Sequence, residues 1–336
     1  MARVAINGLG RIGRAALKVI IDTPELELVA VNDLGSVENF AYLIKYDTVY
    51  GRYDKSVSVE NGNLVVDGHT IDYLSERDPA NLPWGKLNID LVFECTGFFT
   101  SQADAGKHIE AGAEWVIISG PTKSEDVPTV VHGVNRPDGS AHILSCASCT
   151  TNNITPVMEV MNRRIGVKKA IMTTVHAYTS TQELVDGPGG KDMRRGRSAA
   201  ANIVPASTGA AIATAKALPE IDGIFDGVAL RVPVPVGSIA DIVFVASRPT
   251  TVDEINEILQ EEARTSRYNG ILGVSEDPIV SSDIIGDSRA SIVDLELTQV
   301  VDGDLVKIMT WYDNEWGYTN QMIRQALETL SVKTPA

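Results

Sequence analysis

Short apolar runs alternate with segments of helical period through the first third of the 336-residue chain. Val4-Ala5-Ile6 is a short apolar strand, after which Ile12, Ala16, Val19 and Ile20 recur at helix spacing. Leu28-Val29-Ala30-Val31, Leu91-Val92-Phe93 and Trp115-Val116-Ile117-Ile118 are further apolar runs of strand length, each closing in polar or small residues. This arrangement predicts an α/β Rossmann-type dinucleotide-binding domain on a parallel sheet. Asn61-Gly62, flanked by Val57, Val59, Leu64 and Val65, predicts a hairpin inserted into it.

The pattern changes in the second half. Ile154, Val157, Val160 and Met161 mark a helix, and Ala170 to Val175 reads as a strand leading into His176. Val228 to Pro233 is another strand, while Ile292 to Val301 and Leu305 to Tyr312 flank the hairpin signal Asp302-Gly303. Thr251-Val252-Asp253-Glu254 is a capping box for a helix carrying Ile255, Ile258 and Leu259. These elements predict an α+β catalytic domain with a largely antiparallel sheet. The last helical pattern, Trp316, Ile323, Leu327 and Leu330, is expected to return to the first domain and to bring Asn314 toward its ligand. The expected division is 1–148 completed by a C-terminal helix 314–336, with 149–313 as the second domain.

Composition narrows the functional classes. The chain is 44% hydrophobic and 22% charged, which suits globular domains with sizeable cores. A net charge of −15 argues against binding nucleic acid or anionic membranes. Three cysteines in so long a chain make no disulfide framework, so a reducing cytoplasm is expected. No apolar run approaches membrane-spanning length, and no signal peptide precedes the first strand.

Gly8-Leu9-Gly10-Arg11-Ile12-Gly13 sits between the first strand and the first helix, where a G-x-G-x-x-G loop receives pyrophosphate. Asp33 follows the second strand about twenty residues later, the place for a carboxylate that binds the ribose hydroxyls and repels a 2′-phosphate. NAD is therefore expected ahead of NADP. Arg77, Thr96 and Ser119 stand near the carboxyl ends of strands and are candidates for the cofactor cleft, whereas Cys95 reads as core.

Cys149 lies in Ser148-Cys149-Thr150-Thr151-Asn152, at the start of a helical pattern, where free N–H groups favour a thiolate. The expectation is a nucleophile with a lowered pKa. His176, at a strand end, is its candidate base. His69, His108, His132 and His142 read equally well as surface residues. The long polar segment 178–201 carries Arg194-Arg195-Gly196-Arg197, able to hold anions or reach a partner subunit. Thr208-Gly209 opens an Ala-rich helix, another anion-friendly start, and Arg231 is a cation in an apolar strand that needs a partner. Cys146-Ala147-Ser148-Cys149 also spells C-x-x-C; zinc is disfavoured for want of further ligands and no metal is expected, while a redox centre or a Cys146–Cys149 disulfide stays open.

Taken together, Ile6 to Arg14, Leu43-Ile44-Lys45-Tyr46-Asp47, Ser148 to Asn152, Val175-His176-Ala177-Tyr178-Thr179, Ser207-Thr208-Gly209-Ala210-Ala211 and Trp311 to Tyr318 closely resemble the phosphorylating glyceraldehyde-3-phosphate dehydrogenases. The resemblance spans nearly the whole chain. It implies oxidation of glyceraldehyde 3-phosphate to 1,3-bisphosphoglycerate with NAD and inorganic phosphate, through a Cys149 hemithioacetal and thioester with His176 as base. It also implies NAD contacts from Arg11, Ile12, Asp33, Arg77, Ser119 and Asn314. The substrate phosphate would meet Thr179, Thr181 and Arg231, and the attacking phosphate Ser148, Thr150, Thr208 and Gly209. A homotetramer is implied as well. Cys146 departs from the family's usual Asn and Asn153 from a frequent Cys. Leu34 and Pro188 resemble NAD-preferring members, whereas Gly35-Ser36 resembles NADP-using ones, so NADP stays open as a second cofactor. The alternatives are an erythrose-4-phosphate dehydrogenase, whose thioester is hydrolysed, and a redox-switched binding protein built on the C-x-x-C.

Overall fold

The computed structural model describes residues 1–137, 139–190 and 192–331, which fall into two units. The first comprises residues 1–130 and 137–147 and the chain from Met322 on; the second comprises Val131–Arg136 and Ser148–Gln321.

The first unit is built on β1 (Ala2–Asn7), α1 (Arg11–Ile21), β2 (Leu26–Asn32), α2 (Val37–Lys45), β3 (Val57–Glu60), β4 (Asn63–Val66), β5 (His69–Leu74), β6 (Leu91–Glu94), α3 (Gln102–Glu110), β7 (Trp115–Ile118) and β8 (Ile143–Ser145). Its eight strands run β8-β7-β6-β1-β2-β5-β4-β3. The six from β8 to β5 are parallel, and β5, β4 and β3 continue as an antiparallel meander. The chain order reverses between β1 and β6, which is the switch point of a doubly wound sheet and the place where such sheets bind dinucleotides. Every residue of β6 and β7 is buried, as expected of parallel strands covered on both faces. The predicted hairpin forms at Asn61-Gly62, where φ is 51° and 82°, and Asp67-Gly68 makes a second of the same kind with φ of 52° and 80°.

The second unit contains α4 (Cys149–Arg164), β9 (Val167–Ala177), β10 (Val204–Ser207), α5 (Ala210–Ala217), β11 (Phe225–Val232), β12 (Ser238–Ala246), α6 (Val252–Ala263), β13 (Leu272–Ser275), β14 (Ser291–Val301), β15 (Leu305–Tyr312) and the start of α7 (Trp316–Ser331). Its seven-stranded sheet runs β10-β11-β9-β12-β15-β14-β13. Four of the six pairings are antiparallel; β11 with β9 and β14 with β13 are parallel. The α4 helix is buried from Thr150 through Met161, and its Ile154, Val157, Met158 and Met161 share a core with Ile255 and Leu259 of α6 and with Ile242, Phe244 and Ile308 of the sheet. That packing fixes the direction of α4, and with it the position of its first residue, Cys149.

The last helix begins at Trp316 rather than at 314, because the Asp313 carboxylate accepts the N–H groups of Glu315 and Trp316 at 2.9 and 2.8 Å and caps the turn there. Its residues 316–321 belong to the second unit, and the expected segment 332–336 lies outside the described residues. None of the described helices is long and apolar enough to cross a membrane.

The outer end of α4 is tied to α6 by ions. Glu262 accepts from Arg163 at 2.9 Å and from Arg164 at 2.8 Å, while Glu159 takes Arg163, Arg267 and the Tyr268 hydroxyl. The hydrogen bonds from Arg163, outweighing partial burial, hold Glu262 below the usual carboxylate range; Glu159 is also held low, there against burial as the largest opposing effect. A depressed folded-state pKa stabilises above the unfolded value, near 4.3, and is lost as pH falls through the folded value. Glu262→Gln is expected to cost about 2 kcal/mol at pH 7, as for hydrogen bonds to charged groups. Thermal unfolding should show the difference from wild type closing as pH drops below about 4.

Candidate functional site

A cavity of about 510 Å³ opens in the first unit over the carboxyl ends of β1, β2 and β6, lined among others by Gly8, Gly10, Asp33, Arg77 and Thr96. The glycines are required by geometry. Gly8 has φ of 97°, and a Cβ there would meet the Thr96 nitrogen at 2.8 Å. A Cβ on Gly13 would meet the Gly8 carbonyl oxygen at 1.9 Å, whereas at Gly10 it would enter open space. The loop thus packs closely on one side and offers bare backbone on the other, with the main-chain N–H groups of Arg11 and Ile12 at the start of α1. This is a cradle that suits a pyrophosphate. The Arg11 guanidinium is committed elsewhere: it pairs with Asp47 at 2.6 Å and stacks over Tyr50, so Arg11 contributes its main chain.

Asp33 faces the cavity with both oxygens held, one by Leu9 N–H at 2.7 Å and one by Gly35 N–H at 3.1 Å. Arg77 is exposed at the rim. Ser119 does not line this cavity; its hydroxyl bonds the Cys95 thiol and its N–H bonds the Glu94 carbonyl at 2.9 Å. Cys95, expected in the core, is half-buried and lines the cavity. All three cysteines are free thiols, and burial pushes Cys146 up to about 12.

Beneath the cavity lies a buried acid that no sequence motif marks. Glu94, 1% exposed, accepts from Asn7 Nδ2 at 2.6 Å, Thr96 N–H at 2.8 Å, His108 Nε2 at 3.0 Å and the Thr96 hydroxyl. Trp84 Nε1 donates to His108 Nδ1 at 2.9 Å, which leaves the ring hydrogen on Nε2, facing Glu94. His108, one of the surface candidates, is fully buried. Asn7 and Thr96 both line the cavity, so this network fixes two of its walls.

In the second unit Cys149 opens α4 behind Ser148, whose Oγ caps the helix by accepting Thr151 N–H at 3.0 Å. Cys149 Sγ lies 3.3 Å from His176 Nε2. His176 is next to last in β9, in register with Arg231 of β11. Its Nδ1 is 2.7 Å from the Ala177 carbonyl oxygen, and Arg231 Nη1 approaches Nδ1 at 2.5 Å and the same carbonyl at 3.1 Å. One tautomer donates Nδ1–H to Ala177 and leaves Nε2 to accept from the thiol; the other accepts Arg231 at Nδ1 and carries its hydrogen on Nε2.

The expectation of a lowered thiol needs correction. Burial pushes the Cys149 thiol up, against the pull of the Arg231 charge and of the Thr150 hydroxyl and main-chain N–H. Burial and then Arg231 hold His176 down to about 3. The resting pair is therefore a thiol and a neutral imidazole. The helix start alone does not decide, because it acts on a sulfur that tertiary packing has partly shielded from water.

The remaining anion-site candidates divide into groups. Thr179 and Thr181 share a contact between hydroxyls at 2.9 Å, Arg195 Nη1 reaches Thr181 Oγ1 at 3.4 Å, and the Arg195 and Arg231 charges act on each other. Arg195 thereby stands out from the basic run, which sequence alone left undivided. Thr150 is buried with Oγ1 2.8 Å from the Tyr312 hydroxyl, and Tyr312 is the other residue here to which the sequence assigns no role. Thr208 Oγ1 accepts Ala210 N–H at 3.2 Å and Gly209 caps α5; among the described residues no hydrogen bond joins them to Ser148 or Thr150. Asn314 is buried in the second unit, its Oδ1 accepting Gly237 N–H at 3.2 Å and the Ser238 hydroxyl at 3.0 Å. No metal-binding group of three or more His, Cys, Asp or Glu occurs among the described residues.

Comparison with known proteins agrees with this geometry. Residues 2–102 match the profile of the glyceraldehyde 3-phosphate dehydrogenase NAD-binding domain, and residues 148–314 that of the C-terminal domain of the same enzymes. The glyceraldehyde-3-phosphate dehydrogenase of Streptomyces coelicolor is 50% identical over 96% of both chains. Glyceraldehyde-3-phosphate dehydrogenase 1 of Bacillus subtilis is 48% identical over 96% of both, and the Zymomonas mobilis enzyme 47% identical over 97% of this chain and 98% of its own. A glycine cradle on a doubly wound sheet, a helix-start cysteine against a histidine, and domain profiles over most of the length converge: the chain belongs to the NAD-dependent glyceraldehyde 3-phosphate dehydrogenase family.

Proposed function

We propose that the chain oxidises glyceraldehyde 3-phosphate with NAD and inorganic phosphate to 1,3-bisphosphoglycerate, with Cys149 as nucleophile and His176 as base. The observation that carries the reading is the 3.3 Å approach of Cys149 Sγ to His176 Nε2 beside Arg231. Cys149 sulfur adds to the aldehyde carbon as its proton passes by way of His176 Nε2 to the aldehyde oxygen, giving a hemithioacetal. NAD, when bound, supplies the hydride acceptor. His176 takes the proton of the hemithioacetal hydroxyl as the C–H bond gives up its hydride, and a thioester on Cys149 results. Inorganic phosphate attacks the thioester carbon, the C–S bond breaks, and the acyl phosphate leaves Cys149 free.

The resting charges suit an anionic substrate. Burial and then Arg231 hold His176 low, and a phosphate dianion against Arg231 would offset that charge and raise the basicity of the imidazole. Thr179, Thr181 and Arg231, together with Arg195, fit the substrate phosphate as hydroxyl donors with forked guanidinium groups. Ser148, Thr150, Thr208 and Gly209 are assigned to the attacking phosphate, where two helix starts supply N–H groups. Gly8, Gly10 and Gly13 with the N–H groups of Arg11 and Ile12 are assigned to the NAD pyrophosphate, Asp33 and Arg77 to the adenosine side, Thr96 to the cavity wall and Ser119 to the strand end behind it. Asn314 is assigned to the nicotinamide amide, for which its fixed Oδ1 leaves the amide N–H groups. A homotetramer is supported by exposed apolar side chains on the second unit, among them Ile171, Leu184, Val185, Met193, Ile203 and Val228.

Reduced nicotinamide should accumulate from glyceraldehyde 3-phosphate and NAD only when phosphate is present, and Cys149→Ala should lower turnover at least about a thousandfold. Sustained turnover without phosphate would replace phosphorolysis by hydrolysis and direct attention to erythrose 4-phosphate. Asp33→Ala should raise the NADP-to-NAD ratio of kcat/KM about tenfold or more, by removing repulsion of the 2′-phosphate and loosening the Leu9 and Gly35 anchors. An unchanged ratio would remove Asp33 from cofactor choice. Light scattering should return four times the 36.1 kDa chain mass; a monomeric mass would discard the tetramer.

A further inference from the structure

Three buried side chains close neighbouring strands of the first unit in a single row. Asn7 ends β1, Asn32 ends β2 and Glu94 ends β6, and Asn7 is in register with both of the others. Residues opposite one another on adjacent strands project to the same face. Asn7 Nδ2 donates to Glu94 at 2.6 Å, Asn32 Nδ2 donates to Asn7 Oδ1 at 2.7 Å, and Glu76 N–H donates to Asn32 Oδ1 at 2.8 Å. Asn32 Nδ2 also donates to the Glu76 carbonyl at 2.9 Å. A line of hydrogen bonds thus runs along the base of the cavity from β6 to the segment that follows β5. Each member immediately precedes a residue that lines the cavity: Asn7 precedes Gly8, Asn32 precedes Asp33, Glu76 precedes Arg77 and Glu94 precedes Cys95.

The line has a direction. An amide carries an acceptor oxygen and a donor NH2, so Asn7 and Asn32 could each stand either way round if left alone. Glu94 does not leave them alone, because its two oxygens meet only donors: Asn7, the Thr96 N–H and hydroxyl, and His108 Nε2. At the far end Glu76 N–H cannot accept. With a pure acceptor at one end and a donor at the other, one orientation of each amide satisfies both of its neighbours. Turning Asn7 over would set its oxygen against Glu94 and its NH2 against that of Asn32. The acid at position 94 therefore decides which atom Asn32 shows to the Glu76–Arg77 segment, two strands away.

We propose that Glu94, Asn7 and Asn32 act as one positioning unit for NAD, a polarised hydrogen-bond line that holds the loops carrying Gly8, Asp33 and Arg77 in a common arrangement for the dinucleotide. The inference rests on the assignment of this cavity to NAD. Glu94 is a positioning residue, acting on the cofactor through Asn7 and Asn32. Inside the protein such bonds reinforce one another, and an end that is wrongly matched is felt along the line.

The test is a double-mutant cycle on NAD affinity, by calorimetric titration of the full-length enzyme without substrate. Glu94→Gln puts a donor at the acceptor end, and Asn32→Asp removes the donor that Asn7 and the Glu76 carbonyl receive. Each change keeps side-chain size, and each leaves a buried group opposed by its like; each alone should weaken NAD about tenfold. Together they allow Asn7 to turn over and the line to run the other way. Glu94→Gln should therefore weaken NAD at least about fivefold less in the Asn32→Asp background than in the wild type. Equal effects in the two backgrounds would overturn the line. Independent sites two strands, about 10 Å, apart add, and a bound pyrophosphate feels the two changes of charge additively. If either single variant does not fold, folding regained in the double variant supports the line, and a double variant that also fails to fold overturns it. Unchanged NAD and NADP affinity in Asp33→Ala would instead overturn the assignment of the cavity, a result separable from equal effects in the cycle.

Discussion

Shielding the Cys149 thiol and the His176 imidazole from water is the constraint on which the second unit depends. Burial disfavours charge on both Cys149 and His176, and a half-buried Arg231 beside them adds one positive charge. The site answers with neutrality at rest. Cys149 keeps its proton and His176 stays uncharged, with the Arg231 charge acting on both. The position of the sulfur follows from the core: α4 is buried for most of its length against α6 and the sheet, so its first residue cannot drift. Register does the same for the imidazole, since His176 and Arg231 are partners across β9 and β11.

The first unit solves a related problem with an acid. Glu94 is buried at the end of β6 with donors from Asn7, Thr96 and His108, and a carboxylate so placed is tolerated only when its lone pairs are filled. His108 is held in one tautomer by Trp84, so the network has one arrangement. Two of its members are cavity walls, and the precision of the cavity comes from a group that does not itself line it.

Much of this was legible in the chain because local rules suffice for it. The runs at 91–94 and 115–118 are strands buried on both faces, and Asn61-Gly62 and Asp302-Gly303 carry the left-handed dihedrals that their residue types announce. The glycine loop is legible because a Cβ at Gly8 or Gly13 collides with backbone. What stayed hidden depends on partners distant in sequence. Tyr312 reads as the end of an amphipathic strand until Thr150, 162 residues earlier, is brought against its hydroxyl. Glu94 reads as the polar end of an apolar run until Asn7, 87 residues away, meets it. The thiol was misjudged for the same reason: a helix start is written locally, whereas burial is a sum over the fold.

Asn314 illustrates how such distant partners decide what a site offers. The Ser238 hydroxyl accepts the Ala177 N–H at 3.1 Å, so its single hydrogen must go elsewhere, and it goes to Asn314 Oδ1. Gly237 N–H points at the same oxygen. Turning the amide over would set its NH2 group against two donors, so the orientation is fixed. The acceptor half of Asn314 is consumed by the protein, and only its N–H groups remain to meet a ligand. The chain of bonds begins at Ala177, the residue after His176, so the segment that carries His176 also sets the direction of the amide. Specificity here is less a matter of which side chains are present than of which of their hydrogen-bonding halves the fold has left unused.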